Sequence, residues 1–470
     1  MRPPGNLGFP TSAEEFYALR DDRTNRYTEN RTYQKAQCAI SADASALRDA
    51  TGQIMLLVAC NLLSRWCRHI DILVPTSELS ARSFRGGLLG DEILKQMRDA
   101  DPFGSFSWSD RRIVTAPLQL HVGANPAQGV KATVINASGW VATIGDHGTR
   151  LPTSKALNIV GAVGAACLGV AQVFKLAIGV SAERIIRPGA FDLLRLERIH
   201  LNATQGTGPR VTNTGLGRIL LIGAGSVGSA LAYCLQLAAP KCETAIIDKD
   251  LVLVENFNRS PLFGKSNFRI NKAEALREML LDASIPSAAY PMSWNEFIRS
   301  HGRRPCEFDV WLPLANEENV RASIQCNIPP LMVYAVTNSN WGTSHGRWIP
   351  GRDECLVDRF HQPTTEDQLQ CSTGQVVTAQ GATDAALPFL SMFAGLMVFA
   401  ELLRLQLPGY PHVPNYALFD FFGALDTIQK MDSRPRSRCD CRSLPAALYK
   451  YFNHPSKYFG LSFPKSGFRS

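Results

Sequence analysis

The segment RILLIGAGSVGSALAYCLQLAAPKCETAIIDKDLVLVENFNRSPLFGKSNFRINKAEAL runs from Arg218 to Leu276. It opens with a short apolar run, Ile219 to Ile222, between Gly217 and Gly223. Such a run predicts a buried parallel strand. Gly223, Gly225 and Gly228 then fit G-x-G-x-x-G. In that pattern the first glycine turns the chain, the second lets backbone approach a phosphate or ribose, and the third packs helix on strand. The spacing predicts a helix with Val227, Leu231, Cys234, Leu235 and Ala238 on one face, then a second strand over Glu243 to Ile247. Asp248 follows that strand, 20 residues past the last glycine. A carboxylate there can accept hydrogen bonds from a ribose diol.

Cations beyond this point separate a nucleoside triphosphate site from a dinucleotide site. Asp248-Lys249-Asp250 is followed by Asn256, Arg259 and Lys272. A dehydrogenase needs no positive charge at those places. A triphosphate does, because its oxygens must be held against their own repulsion while pyrophosphate leaves. The spacing resembles the adenylation domain of ubiquitin-activating E1 enzymes and their ThiF and MoeB relatives in thiamin and molybdopterin biosynthesis. Their pattern is G-x-G-x-x-G, D-x-D, S-N-x-x-R-Q and a lysine. Here it is matched by Gly223, Gly225, Gly228, Asp248, Asp250, Asn256, Arg259 and Lys272, with 11 residues from Asp248 to Arg259 and 13 from Arg259 to Lys272. The resemblance implies that these eight residues bind ATP, with Arg259 and Lys272 also serving catalysis. It further implies Mg²⁺ held by an aspartate in a D-N-x-x-x-R pattern. Asn316 stands in that place, followed by Glu317 and Arg321. An asparagine carbonyl can still ligate Mg²⁺, and Glu317 can supply the missing charge. Arg269, Ile270 and Asn271 replace the glycines that precede the family's lysine.

The same resemblance extends to a loop cysteine. Cys371 lies in the polar stretch QPTTEDQLQCSTGQVV. Family members place a reactive cysteine near such a segment, where a thiolate can attack an acyl adenylate and leave a thioester. Cys38, Cys60, Cys67, Cys167, Cys234 and Cys326 are expected in the core, the common fate of a free cysteine. Relatives bind structural zinc through C-x-x-C pairs, but this chain has none, so no zinc site is expected. Relatives also carry an arginine near their start that reaches a partner's nucleotide. Arg26 and Arg31, in RYTENR, are the candidates here.

Around the decisive segment, 470 residues at 45% hydrophobic content can bury large cores. The net charge is +8, and its basic clusters, Arg299 to Arg304 and Arg434 to Arg442, read as solvated surface. No nucleic-acid partner is expected. Twelve scattered cysteines and an N-terminus without an apolar leader point to a reduced, cytoplasmic chain. Ile159 to Ala171 is apolar for 13 residues before Gln172 and Lys175 intervene, so it reads as a buried helix and no membrane partner is expected.

Element order suggests an internal repeat of roughly 200 residues. Thr51 to Pro75 reads as a helix and a strand, Lys131 to Ile135 as a strand, and Leu157 to Ile178 as a helix. In the second half, Phe308 to Leu314 and Leu331 to Val336 are strands and Ala385 to Leu405 a helix. The expected fold is therefore α/β, with two Rossmann-like adenylation folds in tandem as a pseudo-dimer. Its N-terminal copy is degenerate and its C-terminal copy active. The divisions are a polar segment (1–45), an inactive domain (46–202), a linker (203–216), an active domain carrying the cysteine crossover (217–430) and a basic tail (431–470). The resemblance implies an E1-like enzyme that adenylates the C-terminus of a ubiquitin-like protein. It would take that protein as a thioester on Cys371 and pass it to an E2-like protein. The absence of C-x-x-C pairs and the paired folds are most similar to E1-like proteins of bacterial ubiquitin-like conjugation operons of Bil type, which serve antiviral defence. A homodimer is compatible with this reading. The competing classes are a NAD-dependent oxidoreductase and a catalytically inactive E1-like scaffold.

Overall fold

The computed structural model describes residues 8–28, 31–80, 86–109, 116–126, 131–152, 157–200, 208–211, 214–301, 307–315, 318–327, 329–338, 340–349, 353–359, 375–378, 381–384, 387–407 and 414–434. Two eight-stranded sheets dominate them. The first contains β1 (Gln37–Ala42), β2 (His69–Leu73), β3 (Ser105–Ser109), β4 (Leu118–Val122), β5 (Thr133–Ser138), β6 (Val141–Gly145), β7 (Gly189–Asp192) and β8 (Glu197–Ile199). Its spatial order is β3-β2-β1-β4-β5-β6-β7-β8. The second contains β9 (Gly215–Ile222), β10 (Lys241–Ile247), β11 (Ser287–Tyr290), β12 (Val310–Pro313), β13 (Met332–Thr337) and β14 (Gly342–Trp348). A two-stranded ribbon, β15 (Gln375–Thr378) with β16 (Gly381–Asp384), comes next in the chain. Strands β17 (Tyr416–Asp420) and β18 (Ile428–Met431) complete the second sheet.

The second sheet runs β11-β10-β9-β12-β13-β14-β17-β18, which repeats the connectivity of the first position by position. In each, five parallel strands are followed by three antiparallel ones. The expected repeat is thus present as topology, and the fold is two Rossmann-like domains in tandem. The parallel strands are short apolar runs because helices cover both their faces.

Four helices join the halves. Helix Ala50–Ser64 packs on helix Ile159–Ile178, and helix Ser226–Ala238 packs on helix Pro388–Arg404. Helices Ile159–Ile178 and Pro388–Arg404 then pack on each other, so one hydrophobic core runs through both halves. Helix Ile159–Ile178 is longer than the 13 apolar residues suggest. It continues for 20 residues, because Gln172 and Lys175 find buried partners. The Gln172 side-chain oxygen accepts the Ile186 amide at 2.8 Å, and Lys175 Nζ donates to the Arg184 and Gly423 carbonyls at 2.6 and 2.8 Å. This helix is long and apolar enough to cross a membrane, yet 94% of that stretch is buried inside the protein.

Cys38, Cys60, Cys67, Cys167 and Cys234 are buried as expected, whereas Cys326 is exposed. Cys326 ends helix Glu318–Cys326, whose buried positions are filled by Val320 and Ile324.

Candidate active site

At the end of β9 the chain must turn sharply beneath the loop that follows β12. Gly223 adopts φ +99°, and a Cβ there would sit 2.5 Å from the Ala315 nitrogen. Gly225 caps helix Ser226–Ala238 with no atom within 4 Å of where its Cβ would be, so a ligand can approach its backbone. Gly228 has a different task. A Cβ there would lie 2.2 Å from the Gly223 carbonyl oxygen, so this glycine seats the helix on the strand.

β10 delivers Asp248 beside that turn. Its two carboxylate oxygens accept the amides of Ala224 at 2.7 Å and Asp250 at 2.9 Å. Burial raises the Asp248 pKa, while Lys272 and these two amides pull it down. Lys272 begins helix Lys272–Asp282, and its ammonium lies 3.1 Å from the Asp250 carboxylate. Asn271 caps this helix by accepting the Ala273 and Glu274 amides. The same side chain donates to the carbonyls of Asp248 and Asp250, tying the helix to the acidic turn. Arg269 takes φ +65°, the left-handed conformation that a glycine supplies at no steric cost. This accounts for the non-glycine sequence before Lys272, since the turn is kept and a side chain is accommodated within it.

Between these elements, residues 254–263 bring Asn256 and Arg259 to the same place. The Asn256 side chain accepts the Leu253 amide at 2.9 Å. Arg259 is 9% exposed and donates to the Glu255 carbonyl and to Asn258 Oδ1. Gly223, Gly225, Asp248, Asp250, Asn256, Arg259 and Lys272 all line one cavity of about 730 Å³. It opens at the C-terminal ends of β9, β10, β12 and β13, where the strand order reverses between β9 and β12. That crevice is where open α/β sheets bind ligands.

Sequence reasoning missed one contributor. Arg23, from the N-terminal half, lines the cavity. Arg26 instead pairs with Asp22 at 2.8 Å, and Arg31 is exposed at the start of a 3₁₀ turn. The RYTENR motif therefore pointed to the right segment and the wrong residues. Nothing in its spacing marks Arg23. Arg321, Met292 and Trp294 also line the cavity. Gly228 does not reach its wall. Cys371, Asn316 and Glu317 lie outside the described residues.

Residues 37–188 match the model of the BilD N-terminal domain, and residues 212–297 match that of the ThiF family. The two matches fall one in each half of the chain, on the first and the second sheet. It is 24% identical over 273 residues to a Sinorhizobium fredii protein, "Uncharacterized protein y4jF", covering 57% of this chain and 50% of that relative. The crystal structure of E. coli MccB + MccA-N7isoASN is 15% identical, overlapping 48% of this chain and 66% of that one with a TM-score of 0.35.

Proposed function

We propose that the chain is an E1-like adenylating enzyme acting on the C-terminus of a ubiquitin-like protein. The observation that supports it best is the distribution of charge around the cavity. Asp248 stands on the adenosine side, while Arg23, Lys249, Arg259, Lys272 and Arg321 bring five cations to the wall, against the carboxylates of Asp250 and Glu255. An oxidoreductase would leave these cations without a ligand to neutralise. ATP would lie with its ribose at Asp248, its backbone contacts at Gly225, and its phosphates toward Arg259, Lys272 and Arg23. The substrate carboxylate attacks the α-phosphorus, and the bond to the bridging oxygen breaks, releasing pyrophosphate. Fixed guanidinium and ammonium groups stabilise the charge that builds on the phosphate oxygens, which is where catalysis of this kind gains most.

Mg²⁺ accompanies a nucleoside triphosphate and needs only one or two protein oxygens, the rest coming from phosphate and water. Asp250 fits that demand. Its side chain lines the cavity, is 55% exposed and engages Lys272. Asn316 and Glu317 remain the other proposed ligands. When bound, the ion would neutralise charge on the β- and γ-phosphates.

Cys371 would then take the acyl group from the adenylate as a thioester, releasing AMP, for transfer to an E2-like protein. The test is ATP–pyrophosphate exchange with the purified chain and candidate ubiquitin-like proteins, beside Arg259→Ala, with a non-reducing gel for an adduct absent in Cys371→Ala. Exchange that needs both the small protein and Arg259 supports adenylation. A thiol-sensitive adduct that needs Cys371 supports the thioester. Failure of both with a partner shown to bind would favour the inactive scaffold.

A further inference from the structure

Arg65 follows helix Ala50–Ser64 in the half that lacks the glycine fingerprint, and it is 2% exposed. A buried guanidinium must place its donors well or carry a heavy desolvation cost. Here Nη1 donates to the carbonyls of Phe257 (2.6 Å) and Phe263 (3.0 Å), and Nη2 to that of Pro261 (2.5 Å). Nε donates to Asn61 Oδ1 at 2.8 Å, and Asn61 Nδ2 donates in turn to the Pro261 carbonyl at 3.1 Å. Three carbonyls of one seven-residue loop thus converge on a single side chain from the other half. That loop carries Arg259, and it begins one residue after Asn256. On the side of its own half, the Leu262 amide donates to Ser229 Oγ at 3.1 Å and the Leu262 carbonyl accepts Asn267 Nδ2 at 3.0 Å.

We propose that Arg65 is a positioning residue for the nucleotide site: it holds the 257–263 loop so that Asn256 and Arg259 face the cavity. The inference rests on the nucleotide reading of that cavity. It gives the N-terminal half a task besides supplying Arg23. The planar fork makes four donations from three nitrogens, including Nε to Asn61, which a lysine ammonium with three N–H bonds on one nitrogen cannot reproduce. Thr24, next to Arg23, adds a further tie by accepting from Asn258 Nδ2 at 3.2 Å.

The test uses the full chain as wild type, Arg65→Met, Arg65→Lys and Ile135→Ala. The last removes a fully buried side chain of the first sheet, away from the loop, and controls for lost stability. Two measurements are made on each: MgATP affinity by calorimetry, and hydrogen exchange of the amides of Arg259, Ser260, Leu262 and Phe263. Arg65→Met is expected to speed exchange in the loop and weaken MgATP binding by about 10- to 100-fold, the range for removing an outer residue that orients a binding group. Arg65→Lys should fall between it and wild type. Ile135→Ala should lower the melting temperature with unchanged MgATP affinity. Combined with Arg259→Ala, Arg65→Met should add little further loss, because both act through one guanidinium. Unchanged affinity in a folded Arg65→Met would overturn the proposal, as would an equal loss in Ile135→Ala. If wild type itself does not bind MgATP, the nucleotide reading fails, and unaltered loop exchange in Arg65→Met would then separately reject Arg65 as the loop's anchor.

Discussion

Gly395 tests how closely the two core helices of the C-terminal half pack. It lies in helix Pro388–Arg404, and a Cβ added there would sit 2.6 Å from both Ala230 Cβ and the Leu231 nitrogen of helix Ser226–Ala238. Carbon atoms in contact need about 3.5–4.0 Å, so Gly395→Ala must push the helices apart by roughly 1 Å. Two effects oppose each other. Alanine improves helix propensity by about 1 kcal/mol, and overpacking a close interface costs typically 1–3 kcal/mol. Two of the three nearest atoms, the Leu231 nitrogen and the Ala230 carbonyl carbon, are backbone, which no rotamer change can clear, so overpacking should win by about 1–2 kcal/mol. Reversible urea unfolding of the wild type and Gly395→Ala would measure the difference. A second variant, Ala230→Gly in the Gly395→Ala background, removes only the side-chain clash and should recover only part of the loss. A Gly395→Ala protein as stable as wild type, or more so, would mean that these two helices do not approach as described, and the argument for a close helix pair in the second half would fall with it.

Acid should weaken the fold through His345. It is buried, and its pKa is lowered to about 3 by burial first, then by Arg404 and Arg347. Its folded pKa lies below its unfolded value of 6.5, so stability is complete above pH 6.5 and falls as the pH drops toward 3. At pH 5 the loss is about 2 kcal/mol relative to pH 8, and His345→Gln should remove that part of the slope in urea melts at the two pH values. Gly228→Ala brings a methyl against the Gly223 carbonyl and should cost about 3 kcal/mol, with MgATP affinity reduced in whatever folds. The readouts are melting temperature and calorimetry; a stable variant that binds normally would remove the close-packing role of Gly228. Arg23→Ala should leave the melting temperature nearly unchanged and slow pyrophosphate exchange about 100-fold, the typical loss on deleting one charge-stabilising donor. Unchanged exchange would confine the site to the C-terminal half.

The site was legible where chemistry follows from local spacing. All eight proposed nucleotide residues lie between positions 223 and 272, and seven of them line one cavity because the strand–turn–helix unit that carries them is itself local. Gly228 was legible as a packing glycine, and the structure gives it that role alone. The tandem fold was legible from the order of strands and helices, although few identities are shared. Arg23 was not, because it reaches the cavity by tertiary packing across 200 residues of intervening chain (223 minus 23). Cys326 was misread for a simpler reason. A free cysteine is buried more often than not, but a helix's last residue need not face the core, and the sequence does not show where that helix stops.

The two copies also differ at the matching crevice of their sheets. Gly223 and Asp43 hold the same place, each being the first residue after the central strand of its sheet. In the second sheet the position has no side chain, and the loop after β12 presses against bare backbone. In the first, the Asp43 carboxylate points into the matching crevice. It accepts the amides of Ala124 and Asn125 at 2.8 and 3.0 Å, the Asn125 side chain at 2.9 Å, and approaches His121 Nε2 at 3.2 Å. The glycine has moved to the facing loop. Gly123 there adopts φ +128°, and a Cβ on it would lie 2.5 Å from Asp43. Backbone donors at the end of a central strand are the groups an anion would seek. Here they are already taken by a fixed anion, which would also repel a phosphate. A single side chain therefore satisfies these donors and puts a negative charge on a crevice that stays open, a cavity of about 430 Å³ lined by Asp43, Gly123, Ala124 and Asn125. On the nucleotide reading proposed for the second half, that charge disfavours phosphate here, and the first half would serve the second through Arg23 and Arg65.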